Sequence, residues 1–376
     1  MSYESIDQLQ KALTEEVFHY AKDSKKAAGR ALGTIVEIIT FYLLESWGFN
    51  KYISIERALA EYGNLDISHN VEYSLHPVIG EYSIQLPFNN TSITSSKVLK
   101  QLTQIDNIVK KNSLLISNDK ILRNSCMIGS KENTLFIASI EKDNSTSLDI
   151  AVYQQQSHPF AMFECKRVGV EEGMKKGPQT IEKAKQGAYV AKSVSSLQKV
   201  RLDSGELYGI IYDKNNQPYS KPYTELLEEV INSTDASLLK KFILTVGVVS
   251  NHGNWFTAQD HNKELKVLAQ SYDWLIFLTD AGLAQFITDV ILSPIEKYSP
   301  IKAAFLSSYT ADKRKNSFTK VQMQYDAHCA LLDYFSSHAA KIETWFNVIS
   351  PYDVDISRLK GEIDMLSKKN WQEIRK

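Results

Sequence analysis

The chain has 376 residues, 43% of them hydrophobic, and sets 43 Lys and Arg against 44 Asp and Glu. That composition supports the core of one large domain or two ordinary ones and excludes a global positive field for a nucleic-acid partner. Three widely spaced cysteines, Cys126, Cys165 and Cys329, form neither a disulfide framework nor a zinc pattern and fit a reducing compartment, so the cytoplasm is expected. No basic region followed by an apolar core opens the chain. The longest apolar stretch, Leu32 to Leu44, is interrupted by Glu37, so no membrane partner is expected.

Apolar residues recur at helical spacing from Ile6 to Lys22 and from Ala27 to Trp47. In the second segment Leu32, Ile35, Val36, Ile39, Tyr42, Leu43 and Trp47 trace one stripe, and Gly48 is a stop signal. His69 to Pro77 alternates like a half-buried strand, and Thr94 to Lys111 reads as a helix. Asn133 to Glu141 reads as a strand and ends in the turn formers Lys142-Asp-Asn-Ser-Thr146.

Two short apolar runs follow, Ser147 to Gln154 and Pro159 to Arg167, joined by a polar link, and they predict a β-hairpin. Together the three segments predict a meander. Side chains alternate along a strand, so Glu164 and Lys166 share one face and Phe163 and Cys165 the other. Asp149 on the partner strand can lie across from them if the register allows.

Pro178 to Ser195 is an amphipathic helix with a basic face. Between Glu164 and Arg201 there are nine Lys and Arg against four Glu. Tyr208 to Tyr212, Phe242 to Val249 and Asp273 to Thr279 are continuous apolar runs that suit buried strands covered by helices. From Gly282 onward the signals are helical, over Gly282 to Leu292, Phe318 to Phe335, Ala339 to Val348 and Ile356 to the C-terminus. The expected fold is α/β, a mixed central β-sheet flanked by helices with added N- and C-terminal helices. Residues 1–90 would pack on a core over 91–316 that carries the hairpin at 147–166, with a helical region over 317–376.

Phosphodiester hydrolysis needs a nucleophilic water and neutralisation of the phosphate oxygens, and two carboxylates can hold Mg²⁺ for both purposes. A lysine beside them adds a compact positive charge. Asp149, fourteen intervening residues, then Glu164-Cys165-Lys166 resembles the active-site motif of the PD-(D/E)XK nuclease superfamily, over roughly Ser147 to Val194. The residue before the aspartate is Leu148 where the family has proline. A second acid-X-Lys tripeptide, Glu264-Leu265-Lys266, sits in a polar, helix-like segment with no preceding strand.

The resemblance implies a restriction-endonuclease-like core and Mg²⁺-dependent cleavage of double-stranded DNA. It makes Asp149 and Glu164 metal ligands and Lys166 the residue that assists the water. It also implies a further metal-facing acid, Glu37, and an orienting Gln186 within Gln186-Gly-Ala-Tyr189. Arg167, Lys175, Lys176, Lys183 and Lys185 are candidates for the phosphate backbone. Asn251, His252 and Asn254 are candidates for base readout, as is Lys313-Arg314-Lys315-Asn316.

With no helicase, methyltransferase or ATPase segment visible, a homodimeric type II restriction enzyme is the expectation. A structure-specific repair or recombination nuclease and a non-catalytic DNA-binding protein are the alternatives. No close histidine pair, Gly-rich phosphate loop or Gly-x-Ser-x-Gly elbow supports another chemistry.

Overall fold

The computed structural model describes residues 6–18, 24–59, 69–88, 91–144, 146–168, 187–251, 257–259, 263–309 and 316–376. The fold is mixed α/β, with several sheets and flanking helices. By internal contacts the chain divides into two discontinuous units rather than at residues 90 and 316. One comprises Met1–Ile55, His76–His158 and Ala281–Ile342, and the other Glu56–Leu75, Pro159–Asp280 and Glu343–Lys376.

In the first unit, Val78–Pro87, Ser147–Gln156, Thr134–Asp143, Cys126–Lys131 and Val109–Lys110 form a five-stranded sheet in that order, with each neighbouring pair antiparallel. Leu86, Phe136, Ile150 and Val152 bury one face of it. The second half of the Ser24–Ser46 helix is apolar on nearly every side and is buried accordingly, from Ile35 through Leu44 apart from Glu37. Gly48 ends it at φ +85, a conformation that favours glycine. The apolar stretch Ala27–Ser46 is long enough to cross a membrane, but two thirds of its window is buried inside the protein, and Glu37 is ion-paired to Lys320 at 3.2 Å.

Glu45, on the same helix, is partly buried, and burial pushes its carboxyl up to about 7. A carboxyl with a raised folded pKa binds more protons folded than unfolded between its ordinary value and about 7, so its contribution to stability falls as pH rises through that window. Urea titrations of the parent and of Glu45→Gln between pH 4.5 and 8 should diverge by up to about 2–3 kcal/mol in favour of the variant at the alkaline end. Parallel curves would contradict this.

The second unit is built on a sheet with the strands Asn70–Leu75, Ala161–Val168, Leu244–Asn251, Trp274–Leu278 and Phe346–Ser350 in that order, and Ile53–Ala58, which begins in the first unit, adds a sixth strand beside Asn70–Leu75. Ala161–Val168 runs antiparallel to Asn70–Leu75 and parallel to Leu244–Asn251, which is parallel to Trp274–Leu278. The continuous apolar runs at 242–249 and 273–279 thus become adjacent parallel strands, and Trp274–Leu278 is buried at every position. A helix over residues 187–194 places Ala188, Val190, Ala191 and Val194 in a cluster with Met162, Val249, Leu275 and Phe277.

Several expectations differ from the structure. The hairpin does not form: Ser147–Gln156 pairs with Val78–Pro87 and Thr134–Asp143 in one sheet, while Ala161–Val168 belongs to the other. Thr94 to Lys111 is helical only over Ser95–Leu99, because Asn107 takes φ +61 and Val109–Lys110 joins a sheet. Ala339 to Val348 divides into a short helix, Ala339–Glu343, and the edge strand Phe346–Ser350. Tyr208 to Tyr212 lies in a half-exposed three-stranded sheet with Gln198–Arg201 and Pro218–Pro222.

Candidate active site

Glu164 and Lys166 lie two residues apart on the central Ala161–Val168 strand, so they share a face, and Lys166 Nζ sits 2.7 Å from Glu164 Oε1. Lys166 also reaches Glu72 Oε1 at 3.7 Å, from the neighbouring Asn70–Leu75 strand. The antiparallel register pairs Ala161 with Leu75, Met162 with Ser74 and Phe163 with Tyr73. Continued by one residue, it sets Glu164 opposite Glu72. The acid across from the Glu-Cys-Lys tripeptide is therefore Glu72.

The surroundings of Glu164 are closely packed. Its side chain is fully buried, Oε1 also meets His69 Nε2 at 3.0 Å, and Oε2 is buried with no hydrogen-bond partner among the described residues. On the parallel side Glu164 is registered with Gly247, where an added Cβ would come within 2.7 Å of the Tyr272 ring. Tyr272 therefore packs directly over the neighbouring strand. Its hydroxyl is held well above the ordinary phenol range, first by burial and then by the Glu164 carboxylate.

Gly187 completes the enclosure. A Cβ there would lie 2.6 Å from Glu164 Cγ and 2.9 Å from both Glu164 Oε1 and the Tyr272 hydroxyl. Gly187→Ala should gain helix propensity, up to about 1 kcal/mol, but lose about 1–3 kcal/mol to overpacking. The expected result is net destabilisation together with a displaced Glu164. A variant at least as stable as the parent in urea would show that the helix shifts freely.

Asp149 lies in the five-stranded sheet of the other unit, where its carboxylate accepts from Gln85 Nε2 at 2.8 Å and Asn144 Nδ2 at 2.9 Å. Those amides, Asn144 first, hold its pKa below the ordinary carboxylate value. Glu37 also belongs to that unit, and its carboxylate faces the nearly buried Lys320. Arg167 is partly buried and, by strand alternation, points to the face opposite Lys166.

Lys175, Lys176, Lys183, Lys185, Gln186, His252, Asn254 and Lys313 to Lys315 lie outside the described residues, as does the side chain of Asn251. The second tripeptide, Glu264-Leu265-Lys266, is on the Lys263–Ala269 helix with Leu265 buried and Lys266 exposed. It is thus presented by no strand.

Glu72, His69, Tyr272 and Gly187 are the residues that sequence reasoning passed over. Glu72 carried a usable signal: it is an acid between Val71 and Tyr73 in a strand buried at every position after the first. No protein-family model, curated protein or solved structure matches the chain.

A buried carboxylate oxygen without a donor calls for a compensating cation, and Glu164 Oε2 is such an atom. Among the described residues no group of three or more His, Cys, Asp or Glu converges as a metal cage. Mg²⁺ does not need one, because it is commonly held by one or two carboxylates together with waters and substrate phosphates. Glu72 and Glu164 fit that requirement.

Proposed function

We propose that the chain is a Mg²⁺-dependent endonuclease of the PD-(D/E)XK type, acting on double-stranded DNA in the cytoplasm, with Glu72 rather than Asp149 as the acid paired with Glu164. The observation that carries this reading is the fully buried Glu164 carboxylate, flanked by Glu72 and Lys166 on adjacent strands, with one oxygen left unpaired. Glu72 and Glu164 would hold the ion, which supplies Lewis acidity toward a phosphate.

The remaining roles belong to the chain. Lys166 Nζ brings a positive charge to the place where negative charge develops during hydrolysis, and its contacts with both acids fix it there. His69, 3.0 Å from Glu164 Oε1, orients that carboxylate when its Nε2 carries the proton. Gly187, and Tyr272 beside it, pack close against Glu164 and keep water from solvating the carboxylate there.

A site-specific type II restriction enzyme is the form of this activity we put forward. Incubation of the purified chain with plasmid, with and without Mg²⁺, tests it: discrete bands only with the metal are expected. Smeared or end-dependent digestion would assign a repair or recombination role, and an intact plasmid in both lanes would leave a non-catalytic DNA-binding protein. Light scattering of the same preparation decides the expected homodimer.

A further inference from the structure

The first unit holds a cavity of about 260 Å³ whose walls include Phe41, Glu45, Arg123, Asn124, Glu141 and Tyr153. That volume is below the range for drug-sized ligands and suits one small heterocycle. Its polar groups are poorly satisfied from within. Asn124 is 5% exposed, its Nδ2 is fixed by donation to the Lys320 carbonyl at 2.9 Å, and its Oδ1 is buried with no hydrogen-bond partner among the described residues.

A buried amide locked through its nitrogen, with its acceptor unmet, calls for an N–H donor. Glu45 makes no hydrogen bond to any described residue, and Arg123 makes no ion pair with one. Glu141 is partly engaged, since Tyr153 donates to it at 3.4 Å. The groups left to meet a ligand are thus one amide acceptor, one carboxyl and one guanidinium, and Phe41 and Tyr153 add ring surface.

We propose that this cavity binds a nucleobase carrying both an exocyclic amino group and a ring carbonyl, that is, guanine or cytosine. The amino group would donate to Asn124 Oδ1 and the carbonyl would accept from Arg123, while the ring nitrogen between them would donate its N–H to the Glu45 carboxylate in guanine or accept from the protonated Glu45 carboxyl in cytosine. Thymine lacks the amino group and would leave Asn124 Oδ1 unpaired in a buried site, which is the situation that produces strong discrimination. Every residue invoked lies in the unit that does not contain Glu72, Glu164 and Lys166, so this assignment stands or falls independently of the nuclease reading.

Isothermal titration of the full chain with dGMP, dCMP and dTMP tests it, because the phosphate is common to all three and only the base differs. At least one of dGMP and dCMP should bind at least tenfold more tightly than dTMP. Glu45→Ala, which removes no hydrogen bond to a described residue, should weaken that binding at least fivefold while staying folded at the titration temperature, as its melting profile would show. Asn124→Ala should abolish the preference over dTMP, with the Arg123→Ala variant as a second reading should loss of the Lys320 contact unfold it. Equal affinity for all three nucleotides, absence of binding up to millimolar concentration, or unchanged affinity in Glu45→Ala would each overturn the proposal.

Discussion

Glu72→Ala should lower Mg²⁺-dependent plasmid cleavage by at least about 10²-fold, the scale of losing one group that stabilises charge in a transition state, whereas Asp149→Ala should leave the rate within about twofold. The contrast rests on partners. Glu72 meets Lys166 beside Glu164, while Asp149 meets Gln85 and Asn144 in a separate sheet. Lys166→Ala should match Glu72→Ala, since it strips the positive charge and leaves two acids facing one another. Initial rates on supercoiled plasmid at saturating Mg²⁺ measure all three. Abolition by Asp149→Ala with full activity in Glu72→Ala would restore the arrangement expected from sequence spacing and refute the one described here.

The largest stability effect is expected at Asp273. This residue is 4% exposed, and its carboxylate accepts from the Thr245 backbone N–H at 2.7 Å, from the Thr245 hydroxyl at 2.9 Å and from the Tyr223 hydroxyl. Lys199 faces the same network. Its Nζ donates to the carbonyls of Ala269 and Tyr272 at 2.9 and 2.6 Å and lies over the Tyr223 ring at 4.2 Å, and burial pulls its pKa down to about 8.

Asp273→Ala would orphan two hydroxyls and a backbone donor and remove the charge opposing a buried ammonium. Leaving a buried donor unsatisfied costs about 1–3 kcal/mol, so a loss of about 3–5 kcal/mol is expected for the three donors together. A urea midpoint lowered to match is the expected result, and a shift below about 1 kcal/mol would mean that water reaches the network. Lys199 holds the carbonyl of Tyr272, whose ring packs beside Glu164, so surviving activity in this variant should also fall.

The parts of the fold that were legible in the sequence are those set by local pattern. The Ser24–Ser46 helix follows from its apolar stripe and Gly48, and the parallel strands Leu244–Asn251 and Trp274–Leu278 follow from continuous apolar runs. Glu164 and Lys166 were legible because strand alternation alone puts them on one face. Their partner was not, because pairing was assigned to the nearest strand in sequence. Ser147–Gln156 has the pattern of a partner, yet it finds Val78–Pro87 and Thr134–Asp143 instead, and nothing local distinguishes those pairings. Phe346–Ser350 was missed for a related reason: five residues are too few for period 2 to be told from period 3.6.

The stretch from His76 to His158, which belongs to the other unit, separates the two strands that carry Glu72 and Glu164. During synthesis at about 5–20 residues per second, the Asn70–Leu75 strand emerges some seconds before its partner exists. A strand rich in apolar residues then waits with an unpaired edge, which is a template for wrong pairing. The intervening chain has its own sheet to form in that interval, and by closing on itself it shortens the effective loop that must be closed afterwards. Expression yield should therefore depend more steeply on substitutions in the 76–158 segment than their equilibrium cost implies, because that segment acts during the birth of the site as well as in the finished protein.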